Sequence, residues 1–363
     1  MNRTVVIGIA VSIAAVAIWQ TGKLGQEQGS SLLSKPAYAA ESHYASFGDY
    51  WYQGKAEVTS YRLQQAHHGE FYERDAVLIF VTEDFSRSKH VKLDNPEAAG
   101  TDAVKVLKLN AMKNFTTGIY PYSLMASVFA PIDRPADPRA LKVTMSMQEW
   151  CGQSFVQMNL RGAAYAVQQN SYFETEGDKT IEVEAAIPED ELWTTMRLNP
   201  KDLPTGSLRL IPGVMVQRLK HSPWAVQSAE ATLSDDPADP ALKVYTVTYP
   251  TMNRTLSIRF RAAFPYEIES WEETYPDGFG KNAKTLTTTA TLNNLINSQT
   301  GLMNAVKRSP TRFLGSNRAL NTGACGFYRV FSIFAGSCRT KGVSVFRQDK
   351  ASPLARAGLF EAT

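Results

Sequence analysis

Alternation of apolar and polar residues with a period of two runs through the middle of this chain and restricts it to sheet structure. Residues 141–147 (LKVTMSM), 243–249 (KVYTVTY) and 256–260 (LSIRF) alternate cleanly, and residues 104–109 (VKVLKL) nearly do. Successive side chains of a strand point to opposite faces, so each run offers one face to a core and one to water, the pattern of antiparallel sheets. Residues 77–82 (VLIFVT) are β-branched, aromatic or apolar almost throughout, as a core strand requires. Breaks rich in Pro, Gly and Asp separate the runs at 133–138, 203–206, 235–240 and 275–278, and each carries turn chemistry. Helical text is sparse. Residues 188–197 (PEDELWTTMR) predict a short connector helix, with Pro188 in its first turn, three acids near its start and Arg197 near its end. Residues 292–297 (LNNLIN) are a weaker helical candidate. The expected fold class is mainly β: an antiparallel curved sheet or partly open barrel with one or two short helices.

The N-terminus carries a different signal. Arg3 precedes an uncharged stretch from Thr4 to Gly22 with an apolar core, and Ala37–Tyr38–Ala39 has the small-x-small form of a cleavage site. These are marks of an export signal. Eighteen residues separate Ile18 from Ala37. That gap leaves a second reading open, an uncleaved anchor, since about 17 apolar residues suffice to span a bilayer. Either way the expected location is the periplasm or the cell exterior, with anchoring to the inner membrane in the second case.

Hydrophobic content of 44 % with 10 % aromatic residues supports a real core and argues against a mostly disordered chain. Charge is unevenly spread: residues 281–363 hold twelve Lys/Arg and two acids, whereas residues 1–280 are net −7. The expected organisation is an export signal or anchor at 1–40, a β-rich domain at 41–290 and a basic, poorly ordered tail at 291–363. A near-repeat, PADPRALKV at 135–143 and PADPALKV at 237–244, marks either two related β halves or the same turn-into-strand chemistry used twice. The basic tail is read as solvated, with no nucleic-acid partner. Cys325 and Cys338 flank a short apolar segment and can pair in an oxidising compartment, which leaves Cys151 single. No CxxC pair, helical HExxH, P-loop, GxSxG or GxGxxG is present, and no metal or cofactor is expected.

Unusual residues are densest between 116 and 178. Residues 116–123 place Tyr120 and Tyr122 around a proline, residues 148–153 bring together Glu149, Trp150 and Cys151, and residues 171–178 add Tyr172 and Phe173 beside acids. If Glu149 and Cys151 share a strand they share a face, with Trp150 behind them. Cys151 then reads as a nucleophile only with a basic neighbour, and otherwise as a small apolar residue backed by a core Trp. His67 and His68 read as a solvated turn, since adjacent histidines on a strand point apart. Glu272 and Glu273 lie beside Trp271 in an acid-rich aromatic stretch that suits carbohydrate binding or a carboxylate pair.

Six segments taken in order, 49–61 (DYWYQGKAEVTSY), 77–85 (VLIFVTEDF), 117–123 (TGIYPYS), 148–152 (QEWCG), 171–174 (SYFE) and 270–275 (SWEETY), resemble a group of exported bacterial proteins commonly labelled "septum formation inhibitor Maf". The resemblance covers roughly residues 48–290 and implies an envelope location more than an activity. It does not imply nucleotide hydrolysis. The Maf pyrophosphatases carry an S-x-S-P-R-type motif at the N-terminus, and the nearest text here, Ser309–Pro310–Thr311–Arg312, lies at the other end. The chain departs from the exported group in lacking a lipobox cysteine and in its long tail. Long strands, few helices and many aromatics are also similar to periplasmic lipid-carrier folds, a likeness of fold only.

The leading functional expectation is non-enzymatic binding of a lipid or other amphipathic small molecule on a concave β face lined by Tyr120, Tyr122, Trp150, Tyr172 and Phe173. The alternatives are an envelope hydrolase, with Glu149, Cys151, Glu272 and Glu273 as weaker catalytic candidates, and a structural or assembly module. The oligomeric state is left open.

Overall fold

The alternating runs assemble into one sheet. In the computed structural model, which describes residues 43–278, 281 and 283–299, fifteen strands pair edge to edge. In chain order the elements are α1 (His43–Trp51), β1 (Lys55–His67), β2 (Glu70–Ser86), α2 (Pro96–Ala99), β3 (Ala103–Thr117), β4 (Tyr120–Pro131), β5 (Lys142–Glu149), β6 (Gly152–Arg161), β7 (Ala164–Ser171) and β8 (Lys179–Glu184). There follow β9 (Ile187–Pro188), α3 (Glu189–Leu198), β10 (Gly206–Ile211), α4 (Val214–Leu219), β11 (Gln227–Asp235), β12 (Leu242–Tyr249), β13 (Arg254–Arg261), β14 (Ile268–Asp277) and β15 (Lys284–Gln299). The order across the sheet is 8-7-6-5-4-3-2-1-15-14-13-12-11-10-9, antiparallel throughout except where β9 runs parallel to β10.

Two up-and-down meanders, β1–β8 and β10–β15, are zipped together where β15 pairs with β1. The sheet is unclosed, yet it curls until its edges meet at one corner. The chain passes from β8 to β9, the two edge strands, through Ala185 and Ala186 alone. Beside that crossing, Arg209 of β10 makes a two-pronged ion pair with Glu184 of β8 at 2.7 and 2.8 Å.

The alternation seen in the sequence sorts correctly. Val143, Met145 and Met147 of β5 and Leu256, Ile258 and Phe260 of β13 are buried, while the residues between them are more exposed. The PADP near-repeat leads into β5 and β12, and in both copies an aspartate side chain, Asp133 or Asp236, accepts from backbone N–H groups of the turn.

One expectation is corrected and another is extended. Residues 292–297 are not helical but lie within β15, and that strand carries order nine residues past the boundary expected at 290. The physical reason is threonine. β15 is flanked by β1 and β14, and its polar side chains are satisfied inside the sheet: Thr288 accepts from the Ala66 amide at 3.0 Å and from Gln65 Nε2 at 3.1 Å, and Thr287 meets Thr274 at 2.8 Å. Such a strand shows little hydrophobic alternation. Second, the connector helix expected at 188–197 forms as α3, and it is built into the core. Leu192, Met196 and Leu198 join the main core, and Glu189, Glu191 and Arg197 are buried with them. The rest of the expected tail, with Cys325 and Cys338, and the N-terminal segment lie outside the described residues.

Helices α1, α3 and α4 cover the concave face. Trp51 of α1 packs on Phe80, while Leu192 and Met196 of α3 and Val214 and Met215 of α4 belong to the same cluster as Leu109, Ala126 and Val128 of the sheet. Ion pairs fix α3 in place. Arg197 donates to both oxygens of Glu57 and, at 2.9 Å, to the Pro265 carbonyl, with its guanidinium over the Phe80 ring at 4.7 Å. Arg254 of β13 grips Glu189 with two nitrogens and reaches Glu273 at 2.7 and 2.9 Å; Lys113 is 3.4 Å from the far oxygen of Glu273. Burial alone would raise the pKa of Glu57 and Glu273. The charges and hydrogen bonds of Arg197, and of Arg254 with Lys113, outweigh it and hold both below the ordinary range.

Breaking such a pair leaves a charge in the core, which costs more than the pair contributes. Arg254→Leu, which strands Glu189 and leaves Glu273 only Lys113, is expected to lower stability by about 3–5 kcal/mol in urea denaturation at neutral pH. Arg209→Leu removes an exposed pair and is expected to cost no more than about 1 kcal/mol. Equal losses in the two variants would refute this account of the core.

Candidate functional site

Antiparallel neighbours bring every second turn to the same end of a sheet. At one end lie the two-residue turns His68–Gly69, Gly118–Ile119 and Trp150–Cys151, closing the β1–β2, β3–β4 and β5–β6 hairpins, and beside them the 172–178 connection from β7 to β8. The five residues chosen from sequence as ligand-binding fall along this rim. Tyr120 and Tyr122 begin β4, Trp150 is a turn residue, and Tyr172 and Phe173 follow β7.

Their rings form two series. Phe115 and Tyr122 stack with centroids 4.7 Å apart, Tyr120 lies 5.1 Å from Tyr122, and Trp150 lies 5.6 Å from Tyr120. His67 closes on Tyr122 at 5.0 Å. Tyr172 meets Phe173 at 5.5 Å, and Phe173 meets His221 at 5.0 Å. Exposure divides the group. Tyr122 is buried, Tyr120 and Phe173 are half-buried, and Trp150 and Tyr172 are 64 % and 62 % exposed. Gly152 explains how Tyr172 sits there: a Cβ on Gly152 would fall 2.4 Å from the Tyr172 ring, so the ring lies directly against the β5–β6 backbone.

A paired charge cluster underlies the rings. Arg218, near the end of α4, donates to Glu149 at 3.2 Å, to Glu176 at 3.4 Å and to the Ser154 hydroxyl at 3.1 Å, and covers the Phe173 ring at 4.3 Å. His221 pairs with Glu176. Tyr120 donates to Glu149 at 3.3 Å and accepts from the Cys151 amide at 2.6 Å. Burial, with the Glu149 carboxylate next, pushes the Tyr122 hydroxyl up to about 12; burial, with His68 next, pulls His67 down to about 4. Both are neutral at physiological pH.

The reading of Glu149, Trp150 and Cys151 as one strand is corrected. Glu149 is the last residue of β5, and Trp150 and Cys151 form the turn, so Trp150 is a tip and not a core residue. Cys151 is a free, exposed thiol whose immediate neighbours are the Tyr120 hydroxyl and, through it, Glu149. Neither activates a thiolate, which needs a positive or basic partner. The solvated-turn reading holds for His68 but not for His67, which is buried.

The carboxylate candidates do not converge. Glu149 is held by Arg218, Glu272 by Arg259 at 2.8 Å, and Glu273 by Arg254. Glu272 and Glu273, adjacent on β14, point to opposite faces. The concave face itself is filled. Between sheet and helices remains a cavity of about 60 Å³, lined in part by Lys113, Glu189, Asp190, Trp193, Arg254 and Trp271. That is room for a few waters. The aromatic side chains expected to line the concave face stand at the rim of the sheet.

Sequence reading missed Arg218, Glu176, His221, Gly152, Phe115 and Ile119. Arg218 meets Glu149 across 69 residues and Ser154 across 64, and no local pattern announces such a contact. Gly152, directly after the Trp-Cys pair, was the readable clue to a close approach.

Comparison with known proteins adds little. No family model matches the chain, and no curated protein matches it. Among solved structures, Aeromonas veronii immune modulator A aligns over 66 % of this chain and 94 % of its own, at 7 % identity and a TM-score of 0.13. A similarity that weak carries no argument.

Asp190 yields a pH test. Burial, and then the adjacent Glu189 carboxylate, raise its pKa to about 7 from an ordinary 3.8. A raised carboxyl pKa means that the folded state binds the proton more tightly than the unfolded one, so stability falls as pH rises from about 4 to about 7. Asp190→Asn is expected to gain about 3 kcal/mol relative to the parent between pH 4 and pH 8, read from urea midpoints. The contribution of His67, which has the opposite sign, is common to both proteins and cancels. A difference between the two proteins that does not change with pH would refute the assignment.

Proposed function

We propose that this chain is an exported envelope protein that binds an amphipathic ligand of lipid character without transforming it, at the rim formed by Tyr120, Tyr122, Trp150, Tyr172 and Phe173. One observation carries the reading. Rings from three stretches of sequence converge on one end of the sheet, two of them well exposed, over a floor whose charges already pair with one another. Such a floor offers few groups for acid–base work and an apolar surface for binding. Placement outside the cytoplasm rests on the basic start, apolar run and Ala37–Tyr38–Ala39 of the N-terminus, and on the resemblance to the exported family. Among the described residues no helix is long and apolar enough to cross a membrane.

Native mass spectrometry of protein purified from bacterial envelope, with lipid extraction of the same sample, tests the reading. The expected result is a stoichiometric adduct that extracts as a lipid or amphiphile and is lost from Gly152→Ala, in which Tyr172 must leave its seat. A clean apo mass for the parent protein would overturn it.

A further inference from the structure

Ile119 is the most exposed large apolar side chain among the described residues, at 83 %. It tips the β3–β4 hairpin; Trp150 tips β5–β6, and Tyr172 begins the connection after β7. These three connections are neighbours in the sheet, two strands apart, so their tips follow one another at intervals of about 10 Å. We infer that this row is a docking edge for the surface of a zwitterionic lipid bilayer, an inference that rests on the amphiphile-binding reading above and names the form in which the amphiphile is met.

Three features favour a bilayer over a single bound molecule. A pocket encloses most of its ligand, whereas these side chains are each more than 60 % open. A sugar ring gains from stacking on Trp150 and Tyr172 but little from a branched aliphatic group, and Ile119 is the most exposed of the three. Trp and Tyr favour the headgroup level of a membrane while an aliphatic tip enters the acyl boundary, so this composition matches a planar apolar–polar interface.

Charge decides the lipid class. Near the tips stand Glu174, Asp178 and Lys179, while Glu149 and Glu176 are paired with Arg218. His68, Lys220 and His221 also lie at this end, so among the described residues the charges are mixed in sign and give no net preference for anionic headgroups. Lys55, where β1 begins, pairs with Gln299, where β15 ends, and β1 then runs 13 residues, about 40 Å, to reach the rim. β1 therefore begins at the end of the sheet opposite the rim, and the tip variants report contact at the rim itself.

The full chain mixed with phosphatidylcholine vesicles, with or without brominated acyl chains, tests the inference through tryptophan emission. The expected result is quenching by the brominated lipid that is insensitive to added salt, disappears in Trp150→Phe, and in Ile119→Asp requires about tenfold more lipid. Ile119 is an exposed turn residue, and circular dichroism identical to the parent's verifies the fold of that variant. Absence of quenching in the parent, or quenching unchanged in both variants as contact through Trp19 would give, overturns the docking edge. The two readings fail separately: a stoichiometric lipid adduct without quenching at the tips removes the docking edge and keeps the ligand site. Tip-dependent quenching without an adduct removes the stoichiometric ligand and keeps the edge.

Discussion

Arg197 and Arg254 hold the architecture together. A sheet of fifteen strands has two faces to cover, and one of them is closed by short helices with modest apolar area of their own. The longest, α3, is ten residues. What fixes α3 is electrostatic as much as hydrophobic: its N-terminal Glu189 meets Arg254 and its C-terminal Arg197 meets Glu57, so it is tied at both ends to strands of the second and first meanders respectively. Buried ion pairs add little net stability compared with well-packed apolar residues, but they strongly penalise any arrangement that separates the partners. Here they select one seating of the helix against the sheet.

That seating decides where a ligand can go. α3 and α4 pack on the concave face, and the same α4 sends Arg218 to the rim, where it gathers Glu149, Glu176 and Ser154 beneath the aromatic rings. The interior and the rim are thus built by one element. Apolar surface excluded from the core reappears at the hairpin tips, where turns ordinarily carry polar residues, and that reversal sets this end of the sheet apart.

Strand periodicity made most of the fold legible. β5, β12 and β13 are apparent from their residues because one face of each is apolar and the other polar, β2 because its centre is apolar throughout, and aspartate-based turns mark the starts of β5 and β12. β15 was illegible because its polar side chains satisfy one another within the sheet, which erases the hydropathy contrast. The acids of α3 announced a helix start correctly but not their burial. Their partners, Arg254 and Arg134, are 65 and 57 residues away, and nothing near the helix signals them. The rim was half legible. Dense aromatic residues pointed to Tyr120, Trp150 and Tyr172, but the glycine seat and the arginine floor are products of tertiary contact.

The crossing at Ala185–Ala186 has a consequence for how the sheet's two edges are guarded. An open sheet ordinarily presents two edges whose free N–H and C=O groups invite pairing with another chain. Here the edges belong to strands consecutive in sequence, so two residues and the Arg209–Glu184 pair draw them to the same corner. The covalent chain acts as a latch at the place where backbone hydrogen bonds stop. A lengthened loop at most hairpins of this molecule would disturb one turn. At this crossing it would slacken both margins of the sheet together and give the protein its most direct route to self-association through strand addition.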